Sequence, residues 1–295
     1  MSEPSPPNTD RDPASGETDT SNADPALFAR DLTKRYGETT ALDSLDLTVD
    51  SGVVFGFLGP NGAGKTTTMR IFTGLIEPTD GEARVAGVSS ENRAKLVDRI
   101  GLLPEEPPLY DELTGREQLQ FAADLRDIRW ETVSDRALSL CDRLDLREDL
   151  DRRIDGYSKG MRQKTAFVQA VQHDPSVVFL DEPTSGLDPR AAKTLRELIL
   201  DLADSDATVF LSTHILPVVE EIADEVGVLH EGRLVAQGPI DELVASAGGA
   251  ADAPSAAGSL DDGGAADGSA PESADLEDAF LSLTSREDTV WTPDS

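Results

Sequence analysis

Lys65 stands in the run Gly59-Pro60-Asn61-Gly62-Ala63-Gly64-Lys65-Thr66-Thr67, the spacing GxxxxGK followed by a hydroxyl residue. Glycines at these positions let a backbone curl tightly enough to aim successive N–H groups at phosphate oxygens, and a helix starting there adds its positive end. Lys65 supplies a charge for the β- and γ-phosphates of a nucleoside triphosphate, and the Thr66 hydroxyl is placed as a ligand for Mg²⁺. A glycine-rich turn that binds nothing is the alternative. The flanks weigh against it: Val53-Val54-Phe55-Gly56-Phe57-Leu58 has the makings of a buried strand, and Thr67-Thr68-Met69-Arg70-Ile71-Phe72 of a helix.

Later in the chain, Val177-Val178-Phe179-Leu180-Asp181-Glu182-Pro183 is an apolar run ending in two acids. Such a run describes a buried parallel strand whose carboxylates emerge at its carboxyl end, where open α/β sheets place their ligands. Asp181 is the candidate to hold Mg²⁺ through water, and Glu182 the candidate to orient and polarise an attacking water. Two acids merely ending a strand would be the plainer reading if no phosphate loop accompanied them.

Between these segments stands Tyr157-Ser158-Lys159-Gly160-Met161-Arg162-Gln163-Lys164, and after them come Ser185-Gly186-Leu187-Asp188 and Ser212-Thr213-His214. The order of these five motifs resembles the ATP-binding cassette of ABC transporters, over about Leu27 to Val244. The resemblance implies that ATP is bound with Mg²⁺ and hydrolysed, with Glu182, His214 and Lys65 as catalytic residues. Ser158 and Gly160 match the family signature, a helix start facing the γ-phosphate bound by a second cassette. Asp188 matches the loop joining the two sites of a dimer, and His214 the histidine that contacts the γ-phosphate. Tyr36, in Leu32-Thr33-Lys34-Arg35-Tyr36-Gly37, matches the aromatic residue that stacks on adenine; packing on a sheet is its alternative. His173 and His230 are expected to be structural.

Two positions depart from the family pattern. Glu105, in Ile100-Gly101-Leu102-Leu103-Pro104-Glu105-Glu106, stands where the family has the glutamine that links the nucleotide site to the membrane subunit. It keeps an oxygen for Mg²⁺ or water and adds negative charge. Lys159 and Met161 replace glycine and glutamine in the signature. This version resembles the exporter branch that moves drugs, polysaccharides or lipids.

The elements that must carry these residues follow from periodicity. Strands are predicted near Val53 to Leu58, Ile100 to Leu103, Val177 to Leu180, Thr208 to Leu211 and Val226 to Leu229, with helices between them. Consecutive helices are predicted from about 107 to 172, among them Arg116 to Arg126, Thr132 to Leu144 and Arg162 to His173. Leu27 to Val49 with Ala83 to Val88 should make a small antiparallel sheet. The expected fold is an α/β P-loop NTPase with a parallel-sheet core, this small β subdomain and a helical signature subdomain, over residues 25–245. Residues 1–24 and 246–274 hold almost no bulky apolar side chain and are expected to be disordered acidic segments. Leu276 to Thr284 has apolar residues at helical spacing and is expected to form a short helix within 275–285, followed by a tail over 286–295.

The 295 residues carry a formal net charge of −31. Residues 1–24 hold six acids and one arginine and 246–278 hold eight acids and no base, which leaves −18 on the body. Such a surface repels nucleic acid. With 20 arginines against 6 lysines, the composition resembles that of salt-loving microbes. The expectation is a fold that needs high salt, so an unchanged melting temperature in dilute buffer would overturn it. Cys141, the one cysteine, suits a reducing compartment or simple packing. No apolar run approaches the roughly 20 residues of a membrane helix. The expectation is therefore a cytoplasmic chain held at the inner face of the membrane by a separate transmembrane permease, acting as a homodimer or pseudo-dimer of cassettes. A soluble cassette protein with a regulatory or translation role is the alternative.

Overall fold

The computed structural model describes residues 24–249 together with 276, 280 and 281. In chain order its elements are β1 (Leu27–Tyr36), β2 (Thr39–Val49), β3 (Val54–Leu58), α1 (Lys65–Phe72), β4 (Asp80–Val85), β5 (Val88–Ser89), α2 (Arg93–Leu96) and β6 (Ile100–Leu103). There follow α3 (Gly115–Asp124), α4 (Trp130–Arg143), α5 (Lys159–Val171), β7 (Val177–Asp181), α6 (Pro189–Asp204), β8 (Thr208–Ser212), α7 (Leu216–Ile222), β9 (Glu225–His230), β10 (Arg233–Pro239) and α8 (Ile240–Gly249).

The strands form two sheets. The antiparallel one has the order β2-β1-β4-β5, and the larger one the order β10-β9-β3-β8-β7-β6. Strands β9, β3, β8, β7 and β6 run parallel, while β10 turns back antiparallel on β9. The α/β fold expected from the sequence is present, but the core sheet is mixed rather than wholly parallel. Strand β10 was not expected, because its partly exposed residues at the sheet edge lack a clear period of two.

Every residue of β3, β7 and β8 is buried, as a parallel sheet covered on both faces requires. Alternation divides their side chains between two clusters. Val54, Val178, Leu180, Val209 and Leu211 pack toward Leu119 of α3, Phe167 of α5 and Leu198 of α6. Phe55, Phe57, Phe179 and Phe210 face the other way, with Phe72 of α1 and with Leu27 and Leu32 of the antiparallel sheet. Phe210 is the hub, its ring centroid 5.0 Å from that of Phe57, 5.6 Å from Phe55 and 5.7 Å from Phe179. Burying such a ring stabilises the fold by about 1.5–3 kcal/mol. This packing holds β3, β7 and β8 side by side, with their carboxyl ends at one edge.

Helix starts differ from expectation where a cap decides. Helix α3 opens on a capping box between Thr114 and Glu117, and α5 opens at Lys159 rather than 162 because Ser158 caps it. Helix α8 runs to Gly249, four residues into the stretch expected to be a linker. Leu276 is buried against Leu58, Val219, Val226, Val228 and Leu243, with Phe280 packed beside it. The remainder of the expected C-terminal helix, the expected tails over 1–23 and 286–295 and the linker beyond 249 lie outside the described residues.

Candidate active site

The phosphate loop follows β3 directly. Gly64 has φ of 114°, and a Cβ there would stand 2.7 Å from the Ala41 carbonyl oxygen, so conformation and space both demand glycine. Gly64 is also the cap position of α1, and no side chain covers the first turn. The N–H groups of that turn have no partner within the helix and stay open for an anion. Lys65 is 8% exposed, and its Nζ donates to the carbonyls of Gly59 at 2.6 Å and Pro60 at 3.3 Å. Burial lowers its pKa, opposed by the negative charges of Glu182, Asp181 and Glu105.

Asp181 ends β7, two strands from β3, with β8 between. The Thr66 hydroxyl donates to Asp181 Oδ2 at 3.1 Å, which joins the loop to the strand end. Burial raises the Asp181 pKa, eased by the Thr66 bond and the Lys65 charge. Among the described residues no group of three His, Cys, Asp or Glu side chains could hold a metal by itself. Mg²⁺ in phosphate sites takes only one or two protein oxygens and completes its shell with phosphates and water. The touching hydroxyl and carboxylate of Thr66 and Asp181 fit that demand.

Glu182 has a left-handed φ of 47° and precedes Pro183, a conformation that costs on the order of 1–3 kcal/mol. Its backbone N–H donates to the Ser212 carbonyl at the end of β8 at 2.9 Å. Its Oε2 accepts from the Thr213 hydroxyl at 2.9 Å and its Oε1 from the His214 backbone N–H at 3.0 Å. The same Oε1 lies 2.6 Å from His214 Nδ1. Glu182 and His214 are therefore one hydrogen-bonded unit. Thr213, to which the sequence assigned no role and which no neighbouring residue marks, is the third member.

Glu105 follows β6 and is exposed. With Thr66, Arg70, Glu106 and Asp181 it lines a cavity of about 310 Å³. Tyr36, at the end of β1, is 47% exposed, with Lys34 Nζ 5.2 Å from its ring centroid. The ring is thus partly exposed, with an ammonium over it. His173 is structural: Nε2 lies 3.0 Å from the Ile100 carbonyl oxygen, and burial pushes its pKa down to about 4.

The other expected site residues sit on different helix starts. Ser158 Oγ accepts from the Met161 N–H at 3.2 Å, capping α5. A Cβ on Gly160 would lie 3.1 Å from the Gly186 carbonyl oxygen, so these two segments are close-packed. Asp188 Oδ1 accepts from the N–H groups of Arg190 and Ala191, each at 3.0 Å, and so caps α6. Chiefly the Ala191 bond holds its carboxyl below the usual range. Among the described residues, no hydrogen bond joins Ser158, Gly160 or Asp188 to the phosphate loop. The structure thus assembles Lys65, Thr66, Asp181, Glu182 and His214 in one place, with Ser158 and Gly160 not bonded to the phosphate loop.

A family model described as ABC transporter matches residues 42–185. A bacitracin transport ATP-binding protein of Bacillus licheniformis is 40% identical over 215 residues, which cover 72% of this chain and 69% of that protein. A daunorubicin resistance ATP-binding protein of Streptomyces coeruleorubidus is 40% identical over 228 residues, covering 77% and 72% respectively. A solved structure described as the ATP binding subunit of an ABC transporter superposes with a TM-score of 0.72 at 33% identity, over 76% of this chain and 93% of that one. This chain belongs to the ABC transporter family, as one of its ATP-hydrolysing cassettes.

Proposed function

We propose that two copies of this chain close around two Mg-ATP and, by hydrolysing them, drive a separate membrane permease that exports its substrate. One observation carries the reading. Three adjacent strand ends bring together the open helix start with Lys65, the Thr66–Asp181 pair and the Glu182–His214 unit, while the signature helix is capped by its own Ser158. That is one half of a composite site.

In this reading the loop from Gly59 to Thr67 wraps the phosphates, its N–H groups at Gly62 and Gly64 to Thr67 and the Lys65 ammonium pointing at their oxygens. Thr66 and Asp181 hold Mg²⁺, which supplies charge neutralisation on the β- and γ-phosphate oxygens. Glu182 accepts the proton of the attacking water while Thr213 and His214 fix its direction. His214 also reaches the γ-phosphate, and Tyr36 stacks on adenine. Ser158 and Gly160 face the γ-phosphate held by the second copy, and Asp188 lies between the two sites. Glu105 faces Mg²⁺ or its water and passes the state of the site to the permease.

Among the described residues no helix is long and apolar enough to cross a membrane, in keeping with attachment through a permease at the inner face. The net charge of −31 disfavours nucleic acid as a partner. The names of the two relatives, one for bacitracin transport and one for daunorubicin resistance, support export over the regulatory or translation alternative. The net charge supports a salt-dependent fold, since added ions screen its self-repulsion. The test is Glu182→Gln with ATP. Loss of phosphate release with a shift of solution mass to a dimer is expected; a monomer that still hydrolyses ATP would overturn the proposal.

A further inference from the structure

Gln163 lies on the first turns of α5 and is only 2% exposed. Its amide nitrogen donates outside the helix, to the carbonyls of Pro183 at 3.2 Å and Glu182 at 3.4 Å. One turn earlier on the same face, Lys159 Nζ donates to the Ser185 hydroxyl at 3.0 Å. The aliphatic stem of Lys159 lies over Gly186, whose φ is 77° and where a Cβ would meet Lys159 Cδ at 2.7 Å. Residues 182–186 are therefore strapped across the start of α5.

The strap needs such a hold. The left-handed backbone of Glu182 is unfavourable for a residue with a side chain, and doubly so before proline. Its own bonds, from Glu182 N–H to Ser212 and from the Ser185 N–H to the Glu182 carbonyl at 3.0 Å, fix the turn along the chain. The Gln163 amide fixes it from the side, inside the core, where an unmade hydrogen bond is costly.

We propose that Gln163 is a positioning residue: by gripping the Glu182 and Pro183 carbonyls, it sets the direction of the Glu182 carboxylate. This rests on the reading of Glu182 as proton acceptor given above. Any displacement of the start of α5 is then carried straight to the hydrolytic carboxylate of the same chain. When Ser158 and Gly160 engage the nucleotide of a second copy, Glu182 in their own chain is reset. The contiguous element biased by both sites is the first turn of α5 with its strap.

Gln163→Met keeps the length and apolar stem and removes both donors, and Lys159→Met does the same at the exposed end. Hydrolysis at saturating ATP and affinity for a fluorescent non-hydrolysable ATP analogue would be measured for the wild type, both variants and Glu182→Gln. Hydrolysis by the wild type and its loss in Glu182→Gln establish the underlying function; if either fails, that function falls rather than the clamp. Given both, Gln163→Met should lower kcat about tenfold and leave affinity within about twofold. A merely structural residue would move both together or neither. A folded Gln163→Met with kcat within about twofold of wild type, or with affinity lost in step, overturns the clamp. Should that variant fail to fold, Lys159→Met decides: kcat lowered about threefold at unchanged affinity supports the clamp, and unchanged kcat overturns it.

Discussion

Helix α1 begins at Gly64 with no side chain over its first turn, whereas α5 begins at Ser158, whose hydroxyl already accepts from Met161, and α6 at Asp188, whose carboxylate accepts from two N–H groups. The first helix start is incomplete without an anion; the other two are satisfied within the chain. A start closed by its own cap can stand at the surface of a lone molecule and still offer a hydroxyl proton and a dipole when a second molecule approaches. A start left open lies in a loop whose Pro60, Asn61, Gly62 and Thr66 are exposed, so its N–H groups can meet solvent or an anion, while the buried Lys65 donates to the Gly59 and Pro60 carbonyls. The division of labour follows: nucleotide binding belongs to one chain, and its completion belongs to two.

The largest test of this contrast is Lys65→Ala. It should lower hydrolysis by about 10²–10³-fold, as loss of a preorganised charge does. Thermal melting should fall little, because the ammonium is buried at a cost and donates only to backbone oxygens. A large loss of melting temperature with hydrolysis intact would break the comparison.

Ser158 separates cap from contact. Ser158→Asp preserves the cap and places a negative charge toward the γ-phosphate of the second copy. Hydrolysis should fall at least about tenfold with no loss of stability. Ser158→Ala should instead cost about 1 kcal/mol in denaturant unfolding. Equal stability in all three proteins would show that the cap is idle.

A smaller effect is expected at Glu105, one of three carboxylates whose charge reaches Lys65. Glu105→Gln removes that negative charge from the rim of the phosphate site and should tighten ATP binding about threefold at moderate salt. An unchanged KM for ATP, with an unchanged response to the permease, would take Glu105 out of the site.

The smallest effect concerns pH at Asp188. Its carboxyl is held below the usual range by backbone N–H donors, chiefly that of Ala191. A depressed folded-state value means that the group stabilises the fold above its ordinary pKa and loses that contribution as pH falls through the depressed one. Asp188→Asn retains a capping oxygen without the titration. The melting temperatures of wild type and variant should therefore differ near neutral pH and converge in acid. A gap independent of pH would show that the charge of Asp188 plays no part in the cap.

The phosphate loop was legible because its chemistry is local: glycine spacing, the lysine and the hydroxyl act within a few residues of one another. Strands β3, β7 and β8 were legible because burial on both faces leaves continuous apolar runs. The Asp188-Pro189 pair was a readable helix start, an acid at the cap with proline after it, that motif matching alone passed over. Other features had no local signal. Strand β10 is half-buried at an edge, and nothing near Thr213 or Gln163 announces that either would hold Glu182.

The chemistry this protein can do was therefore written in its residues: which side chains meet phosphate, which acids end a buried strand, which serine begins a helix. What tertiary structure alone decided is how those side chains are held. Packing around Phe210 sets β3, β8 and β7 in register, and only that register brings Thr66 to Asp181 and His214 to Glu182. A hydrogen bond between residues far apart in the chain depends on the whole core that aligns them, and no window of sequence contains that core.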